Sequence, residues 1–272
     1  MPRHTDAARR TIDSTVEEFA VGMGYEALRF EDSEAFLAHF CERWVLELHE
    51  ELRSILARDR TVLGIGSGCG EHEVMLFREG YDVIASDVVD WTLSRTRQLF
   101  PGFRAMHLDI FNPPCELAFD DVLVTGLDSY FDTAQARLIF TNARQLLHER
   151  GRLIFALRYH DNAATRAIDD VLLPAVAALH GLRLRLVGSP LIVVRKQHGY
   201  RRTRSEIVSL AESAGYRLGR VRFAGFGFEA TRIGIDRHAP KLYELMRRLD
   251  RRVKLLNNVT VFEFLAESNA RS

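Results

Sequence analysis

The sequence VLGIGSGCG at positions 62–70 decides how this chain can fold. An apolar run is followed by glycine at every second position, and a helix-like segment begins at residue 71. Glycine turns the backbone sharply and lets a ligand come close, because it has no Cβ. Asp87 ends the next apolar run about twenty residues later, where a carboxylate can accept both hydroxyls of a ribose. The pattern predicts a nucleoside-binding turn between a strand and a helix.

Short apolar runs alternate with helix-like segments on both sides of Asp87. The apolar runs lie at 62–65, 82–86, 103–108, 121–126 and 152–158, and helices are predicted at 71–79, 91–100 and 133–149. Strands that alternate with helices form mostly parallel sheets whose two faces are both covered by helices. The first part of the chain therefore predicts a doubly wound α/β fold.

The C-terminal part predicts a return of the chain to this sheet. A helix is expected at 205–214 and a strand at 216–225, and the segment 258–266 alternates apolar and polar residues. Such alternation is typical of a strand with one partly exposed face. We expect this closing strand to be an antiparallel edge strand.

Three further segments are rich in apolar and aromatic residues and are expected to form a lid. They are a helical region at 1–57 and two insertions at about 163–200 and 228–256, which leaves 58–272 as the core domain. A closed apolar pocket suits a small acceptor molecule.

The composition limits the partners of the chain. The 37 basic residues balance the 37 acidic ones, so no overall field attracts nucleic acid or a membrane surface. The three cysteines are far apart and form no CxxC pair, which argues against a zinc site or a disulfide framework. The N-terminus lacks the apolar core of a signal peptide, and no stretch reaches the ~20 apolar residues of a membrane span. We expect a soluble, cytoplasmic chain, and the sequence does not address its oligomeric state.

Two nucleoside cofactors compete for the glycine turn. A dinucleotide site requires the spacing GxGxxG, but the frame from Gly64 ends in Cys69 and the frame from Gly66 ends in Glu71. Glu71 and Glu73 would also repel a pyrophosphate at the start of the helix. S-adenosylmethionine has no phosphate and carries a positive sulfonium and ammonium, so the acidic first turn favours it.

The run at 62–70 resembles motif I of the class I (Rossmann-like) S-adenosylmethionine-dependent methyltransferases. Matching segments follow in the family's order over roughly residues 60–222: SDVVDWTL at 86–93, MHLDIFNP at 106–113, DDVLVTGLDSYF at 120–131, LLHERGRLIFALR at 146–158 and TRSEIVSLAESAGYRL at 203–218. The resemblance implies a seven-stranded sheet and S-adenosylmethionine as cofactor.

The resemblance also implies roles for individual residues. Asp87 would hold the ribose, Val88 and Ile110 would pack against the adenine, and Asp109 would lie near its amino group. The segment 125–128 would pass under the methionine portion. The cofactor-binding residues implied are Gly64, Gly66, Ser67, Gly68, Gly70, Glu71, Asp87, Val88, Asp109, Ile110, Thr125 and Gly126.

The chain departs from the family at Gly64. The family usually has Asp or Glu at this position, and that carboxylate helps to hold the ammonium of the methionine portion. Its absence leaves that contact to another group, and Glu71 or a backbone carbonyl is expected to replace it.

Methyl transfer from a sulfonium is an in-line displacement that needs mainly alignment and the exclusion of water. Catalytic candidates follow the fourth and fifth strands, because ligands in this architecture lie beyond the carboxyl ends of strands. These candidates are Asp128, Tyr130 and His160. No metal is predicted, since Glu71 and Glu73 are two residues apart and would face different sides of a helix.

The sequence thus predicts O- or N-methylation of a small-molecule acceptor, and two alternatives remain. The arginines at 195–204 raise the possibility of an RNA acceptor, although zero net charge opposes it and a solvated face or a site for an acidic group fits them better. The missing carboxylate at position 64 would also be compatible with an inactive cofactor-binding protein.

Overall fold

A computed structural model describes residues 30–40, 43–157, 200–225 and 259–267, together with scattered positions at 166, 171, 175, 241, 244, 245 and 248. Candidate residue His160 lies outside these ranges, as do residues 1–29 and nearly all of the two insertions expected in the lid.

Seven strands of the described residues form one sheet. In chain order they are β1 (Thr61–Ile65), β2 (Asp82–Asp87), β3 (Arg104–His107), β4 (Phe119–Thr125), β5 (Leu147–Leu157), β6 (Tyr216–Gly225) and β7 (Val259–Ala266). Their order across the sheet is β3-β2-β1-β4-β5-β7-β6. Strands β1 to β5 pair in parallel, and β7 is antiparallel to both β5 and β6.

The helices of the described ranges cover both faces of this sheet. They are α1 (Ser33–Phe40), α2 (Arg43–Ile55), α3 (Glu71–Arg78), α4 (Asp90–Leu99), α5 (Thr133–Gln145) and α6 (Arg204–Ser213). On one face, Leu63 and Ile65 of β1 join a buried cluster with residues of α5 and α6. On the other face, Val62 packs in a second cluster with residues of α2 and α3. Burial on both faces explains why the central strands are nearly continuous apolar runs.

The predicted fold class is therefore confirmed, with one difference in the antiparallel strand. β7 lies one place in from the edge, between β5 and β6, and β6 forms the edge. Six consecutive residues of β7, from Val259 to Phe264, are buried. The expected partly exposed face is wrong because the polar side chains of this strand, Thr260 and Glu263, are themselves buried.

Two predicted boundaries also differ from the structure. The helix expected at 133–149 ends at Gln145, because Leu146 and Leu147 are buried and Leu147 pairs with Phe119 of β4. The helix expected at 91–100 spans Asp90–Leu99, and its N-cap is Val89.

Part of the segment expected in the N-terminal lid packs directly on the sheet. Leu48 and Leu52 of α2 are fully buried in the cluster that contains Val62 and Val83. Phe36 of α1 is buried beside Phe100, with ring centroids 5.3 Å apart. Residues of the described ranges 30–40 and 43–57 thus contribute to the core, and the division of the chain at residue 58 stays a prediction.

Candidate functional site

The order in which strands are added to the sheet reverses between β1 and β4, since β2 and β3 lie on one side of β1 and β4 and β5 lie on the other. β1 pairs with β2 on one side and with β4 on the other, and the helices that follow these two strands, α3 and α5, pack on opposite faces of the sheet. Such a switch point is where open α/β sheets bind ligands. The loop after β1 is the predicted glycine turn.

The glycine turn has a left-handed backbone at three positions. The φ angles are 65° at Gly66, 58° at Gly68 and 74° at Gly70, in a region that other residues rarely adopt. The turn closes through a 2.8 Å hydrogen bond from the N–H of Gly70 to the carbonyl of Ser67. A Cβ atom at Gly66 would lie 2.6 Å from Cδ1 of Leu127, so the turn closely approaches the loop after β4.

Asp87, at the end of β2, is bonded to this turn. Its Oδ2 accepts a 2.7 Å hydrogen bond from the N–H of Gly68, and its Oδ1 accepts one of 2.9 Å from the N–H of Val89. Each carboxylate oxygen can accept a second hydrogen bond, which leaves capacity for ribose hydroxyls. Burial raises the pKa of Asp87, and the hydrogen bonds from Val89 and Gly68 partly offset that effect.

Glu73 lies beside the turn, and the sequence did not predict a ligand-binding role for it. It was expected only to repel a pyrophosphate. It lies in the first turn of α3 and is 2% exposed, and its Oε1 accepts a 3.0 Å hydrogen bond from Oγ of Ser67. The signal that could have identified it is Gly64, because glycine at a buried strand position leaves space for the side chain of a residue from another element. Burial, followed by the negative charge of Glu71, raises the pKa of Glu73 to about 7.

Three carboxyl groups lie around the turn, those of Glu71, Glu73 and Asp87. Glu71 begins α3 and is half-buried, and its charge, like that of Asp87, adds to the raised pKa of Glu73. Burial raises the pKa of the Cys69 thiol strongly, and Glu71 and Asp87 raise it further. A neutral, buried thiol is a poor nucleophile, which argues against covalent chemistry at Cys69. The carboxyl groups around the turn would stabilise a cation rather than an anion.

The loop after β3 holds two of the three residues expected near the adenine. Oδ1 of Asp109 accepts a 2.9 Å hydrogen bond from the N–H of Phe111, so this aspartate shapes the loop. Ile110 is 6% exposed, and its carbonyl accepts a 2.8 Å hydrogen bond from Nδ2 of Asn142. Val88, in the loop after β2, is half-buried. The contacts of these residues with a cofactor stay predictions.

The loop after β4 begins at a left-handed glycine. Thr125 is buried, and Gly126 has a φ of 70° and donates a 3.1 Å hydrogen bond to the carbonyl of Ala156. A short 3-10 turn over Asp128–Tyr130 follows and includes two catalytic candidates. Tyr130 is half-buried. The carbonyl of Ser129 accepts a 2.7 Å hydrogen bond from the N–H of Tyr200, so residue 200 lies against this loop.

Two arginines of the basic run have structural roles. Arg202 is 3% exposed, and its guanidinium donates a hydrogen bond to the carbonyl of Phe131. Arg204 lies over the ring of Phe223, 4.3 Å from its centroid, and donates a 3.2 Å hydrogen bond to Oγ1 of Thr260. The expectation of a solvated face is therefore wrong for Arg202, because the loop after β4 needs a donor at that carbonyl.

The described ranges contain no cluster of three His, Cys, Asp or Glu side chains arranged to hold a metal ion. Within the same ranges, no helix is both long and apolar enough to cross a membrane.

Comparisons with known proteins give a match at the level of structure. No protein-family model and no curated protein sequence matches the chain. Magnesium protoporphyrin IX methyltransferase from Synechocystis PCC 6803, solved with bound S-adenosylhomocysteine, superimposes with a TM-score of 0.55 at 13% identity, covering 94% of this chain and 100% of that one.

Two other methyltransferases superimpose similarly. One is the 1,6-didemethyltoxoflavin-N1-methyltransferase of Burkholderia thailandensis, solved with 1,6-didemethyltoxoflavin and S-adenosylhomocysteine. It has a TM-score of 0.55 at 14% identity, and the superposition covers 98% of this chain and 92% of that enzyme. An S-adenosylmethionine-dependent methyltransferase from Methanosarcina mazei has a TM-score of 0.50 at 12% identity, with coverages of 80% and 97%. The chain therefore has the fold of the class I, Rossmann-like methyltransferases.

Proposed function

We propose that this chain is an S-adenosylmethionine-dependent methyltransferase that acts on a small-molecule acceptor by direct in-line transfer. The observation that carries the proposal is the hydrogen bond between the N–H of Gly68 and Asp87 at the switch point of the sheet. It holds a ribose-binding carboxylate beside a turn that a nucleoside can approach closely.

The described residues fit this cofactor. Asp87 would accept the ribose hydroxyls, and the half-buried Val88 would pack on the adenine from the end of β2. Ile110 would contact the ring from the loop after β3. Thr125 and Gly126, at the end of β4, would lie under the methionine portion.

Charge favours this cofactor over a dinucleotide. Glu71, Glu73 and Asp87 lie around one turn, and buried carboxylates stabilise a nearby positive charge. A pyrophosphate would face two of these carboxylates in the first turn of α3, where an anion is normally favoured by the helix dipole. The acidic residues cancel that advantage.

When bound, S-adenosylmethionine supplies an electrophilic methyl group on its sulfonium. The protein's own residues then have to orient the acceptor and keep water away. Asp128 and Tyr130, in the 3-10 turn after β4, would orient the acceptor. His160 would take a proton from an acceptor with a high pKa.

A small molecule is the acceptor that the observations support best. Two of the superimposed enzymes are named for small acceptors, a magnesium porphyrin and a toxoflavin precursor. Arg202 and Arg204 bond to the protein itself, which weakens the case for an RNA backbone as their partner.

The test is a screen for production of S-adenosylhomocysteine from S-adenosylmethionine, with pools of small amines, phenols and carboxylic acids in parallel with total RNA. We expect turnover with at least one small-molecule pool and none with RNA. Turnover with RNA alone would establish the alternative acceptor class. Tight cofactor binding without turnover in any pool would indicate a binding protein without activity.

A further inference from the structure

The side chain of Glu73 occupies the space that a side chain at position 64 would fill. A Cβ atom at Gly64 would lie 2.2 Å from Oε1 of Glu73 and 2.8 Å from both its Cδ and its Cγ. Contacts this short do not occur, so either residue 64 is glycine or Glu73 moves away. Gly64 and Glu73 are thus a matched pair.

Hydrogen bonds hold the carboxyl group of Glu73 at the end of β1. Oγ of Ser67 donates to Oε1, and the N–H of Ser67 donates a 2.9 Å hydrogen bond to the carbonyl of Ser86. Oγ of Ser86 in turn donates to the carbonyl of Gly64 over 2.6 Å. The carboxyl group therefore points into the glycine turn and away from the surface of α3.

Glu73 has no basic partner among the residues whose side chains are described, although it is 2% exposed. Buried carboxylates are normally paired with a cation or neutralised. The charges that act on Glu73 are those of Glu71 and Asp87, which are also negative. A bound cationic ligand would supply the positive charge that this buried carboxyl group lacks.

We infer that Glu73 supplies from helix α3 the carboxylate that Gly64 lacks, and that it binds the ammonium group of the cofactor's methionine portion. This inference rests on the proposed function and replaces the expectation that Glu71 or a backbone carbonyl makes the contact. Glu73 is better placed than Glu71, because its oxygen takes the position that a side chain from the strand would take.

Two ligands separate this contact from the rest of the site. S-adenosylhomocysteine and 5′-methylthioadenosine share the adenosine and the thioether, but only the former carries the ammonium. We expect Glu73→Gln to weaken S-adenosylhomocysteine about 10- to 100-fold, the range for a hydrogen bond to a charged group. Affinity for 5′-methylthioadenosine should not change. Glu71→Gln is the matched control and should retain more affinity for S-adenosylhomocysteine than Glu73→Gln.

Calorimetry on the full chain distinguishes the outcomes. Unchanged affinity for S-adenosylhomocysteine in Glu73→Gln, or an equal loss for both ligands, would overturn the inference while the cofactor assignment stands. A larger loss in Glu71→Gln would assign the contact to that residue instead. Binding of neither ligand by the parent chain would overturn the proposed function, and the inference with it.

An exchange of the two positions tests the same idea when Glu73→Gln folds poorly. Gly64→Asp alone should lower the melting temperature, because the new side chain meets Glu73. Glu73→Ala alone should lose affinity for S-adenosylhomocysteine. The double variant Gly64→Asp with Glu73→Ala removes the clash and returns a carboxylate to the turn, so it should recover most of that affinity. A folded double variant that binds no better than Glu73→Ala would contradict the inference.

Discussion

The backbone N–H of Gly68 donates a 2.7 Å hydrogen bond to Oδ2 of Asp87. This bond ties the turn after β1 to the end of β2, and it orients the carboxylate that we propose for the ribose. We therefore propose that Asp87 both shapes the turn and binds the ribose of a nucleoside.

Replacing Asp87 should weaken every ligand that contains the ribose. We expect Asp87→Ala to lose ~1.5–3 kcal/mol of binding free energy for S-adenosylhomocysteine and for 5′-methylthioadenosine alike. Asp82→Ala, at the other end of β2 and paired with Arg104 on the surface, is the control and should bind both normally. Calorimetric affinities equal to those of the parent chain would contradict the role of Asp87.

A side chain at Gly68 should prevent binding without unfolding the chain. The φ of 58° makes a β-branched residue unfavourable by ~1–2 kcal/mol, and the side chain would fill the space that the ligand needs. We expect no measurable affinity for S-adenosylmethionine in Gly68→Val.

Gly80→Val provides the matched control, because Gly80 has a φ of 85° and no atom within 4 Å of a Cβ placed there. It should show a similar loss of stability and normal affinity. Normal affinity in Gly68→Val, with a native circular dichroism spectrum, would remove the turn from the site.

The ionisation of Glu73 should make stability depend on pH. Its pKa is about 7 in the folded chain, against an ordinary value of 4.5, so the folded state binds the proton more tightly. The resulting stability is fully present below pH 4.5 and is lost as the pH rises through 7. At 1.36 kcal/mol for each pKa unit, the full effect is ~3 kcal/mol.

Glu73→Gln keeps a hydrogen-bond acceptor for Ser67 but removes the negative charge that the carboxylates of Glu71 and Asp87 repel. Chemical denaturation should therefore find it more stable than the parent at pH 8, by up to ~3 kcal/mol, and no more stable at pH 4. Glu212→Gln, on the exposed side of α6, should match the parent at both values. A loss of stability in Glu73→Gln at pH 8 would show that the carboxylate is needed for folding instead of ligand binding.

Most of the fold could be predicted from the sequence because its strands are buried on both faces. Continuous apolar runs such as 121–126 correspond directly to a strand, β4 at Phe119–Thr125. The end of the helix at Gln145 was missed, since the following residues suit a helix and only their pairing with Phe119 makes them a strand. The position of β7 was missed because burial of Glu263 beside Arg152 depends on tertiary contacts.

The part of the candidate site that is formed by the glycine turn and Asp87 could be predicted from the sequence. The glycine spacing and Asp87 required only their order along the chain, and the structure brings them within hydrogen-bond distance. Glu73 was not predictable in the same way, because the role that we propose for it depends on the space above Gly64, a position in another element. Arg202 was taken for a surface residue, since the carbonyl of Phe131 that it binds is far away in sequence.

The catalytic candidates should contribute moderately to turnover. Rate in such a displacement comes mainly from alignment, so we expect Tyr130→Phe and His160→Ala each to cost no more than ~10²–10⁴-fold in kcat. Tyr81→Phe, which removes a hydroxyl bonded to the carbonyl of Arg53, should leave kcat unchanged. A complete loss of turnover in Tyr130→Phe with normal cofactor affinity would require a different mechanism.

Turnover should not require a metal ion. Displacement at a sulfonium disperses positive charge and builds no oxyanion for a cation to hold. Treatment with a chelator should therefore leave kcat/KM unchanged. Loss of activity that magnesium restores would indicate a metal-assisted acceptor such as a catechol.

Binding of S-adenosylmethionine by the glycine turn can be measured by calorimetric titration of the parent chain with S-adenosylhomocysteine and with NAD. We expect saturable binding of S-adenosylhomocysteine at one site per chain and no detectable binding of NAD. Binding of NAD without binding of S-adenosylhomocysteine would show that the turn is a dinucleotide site.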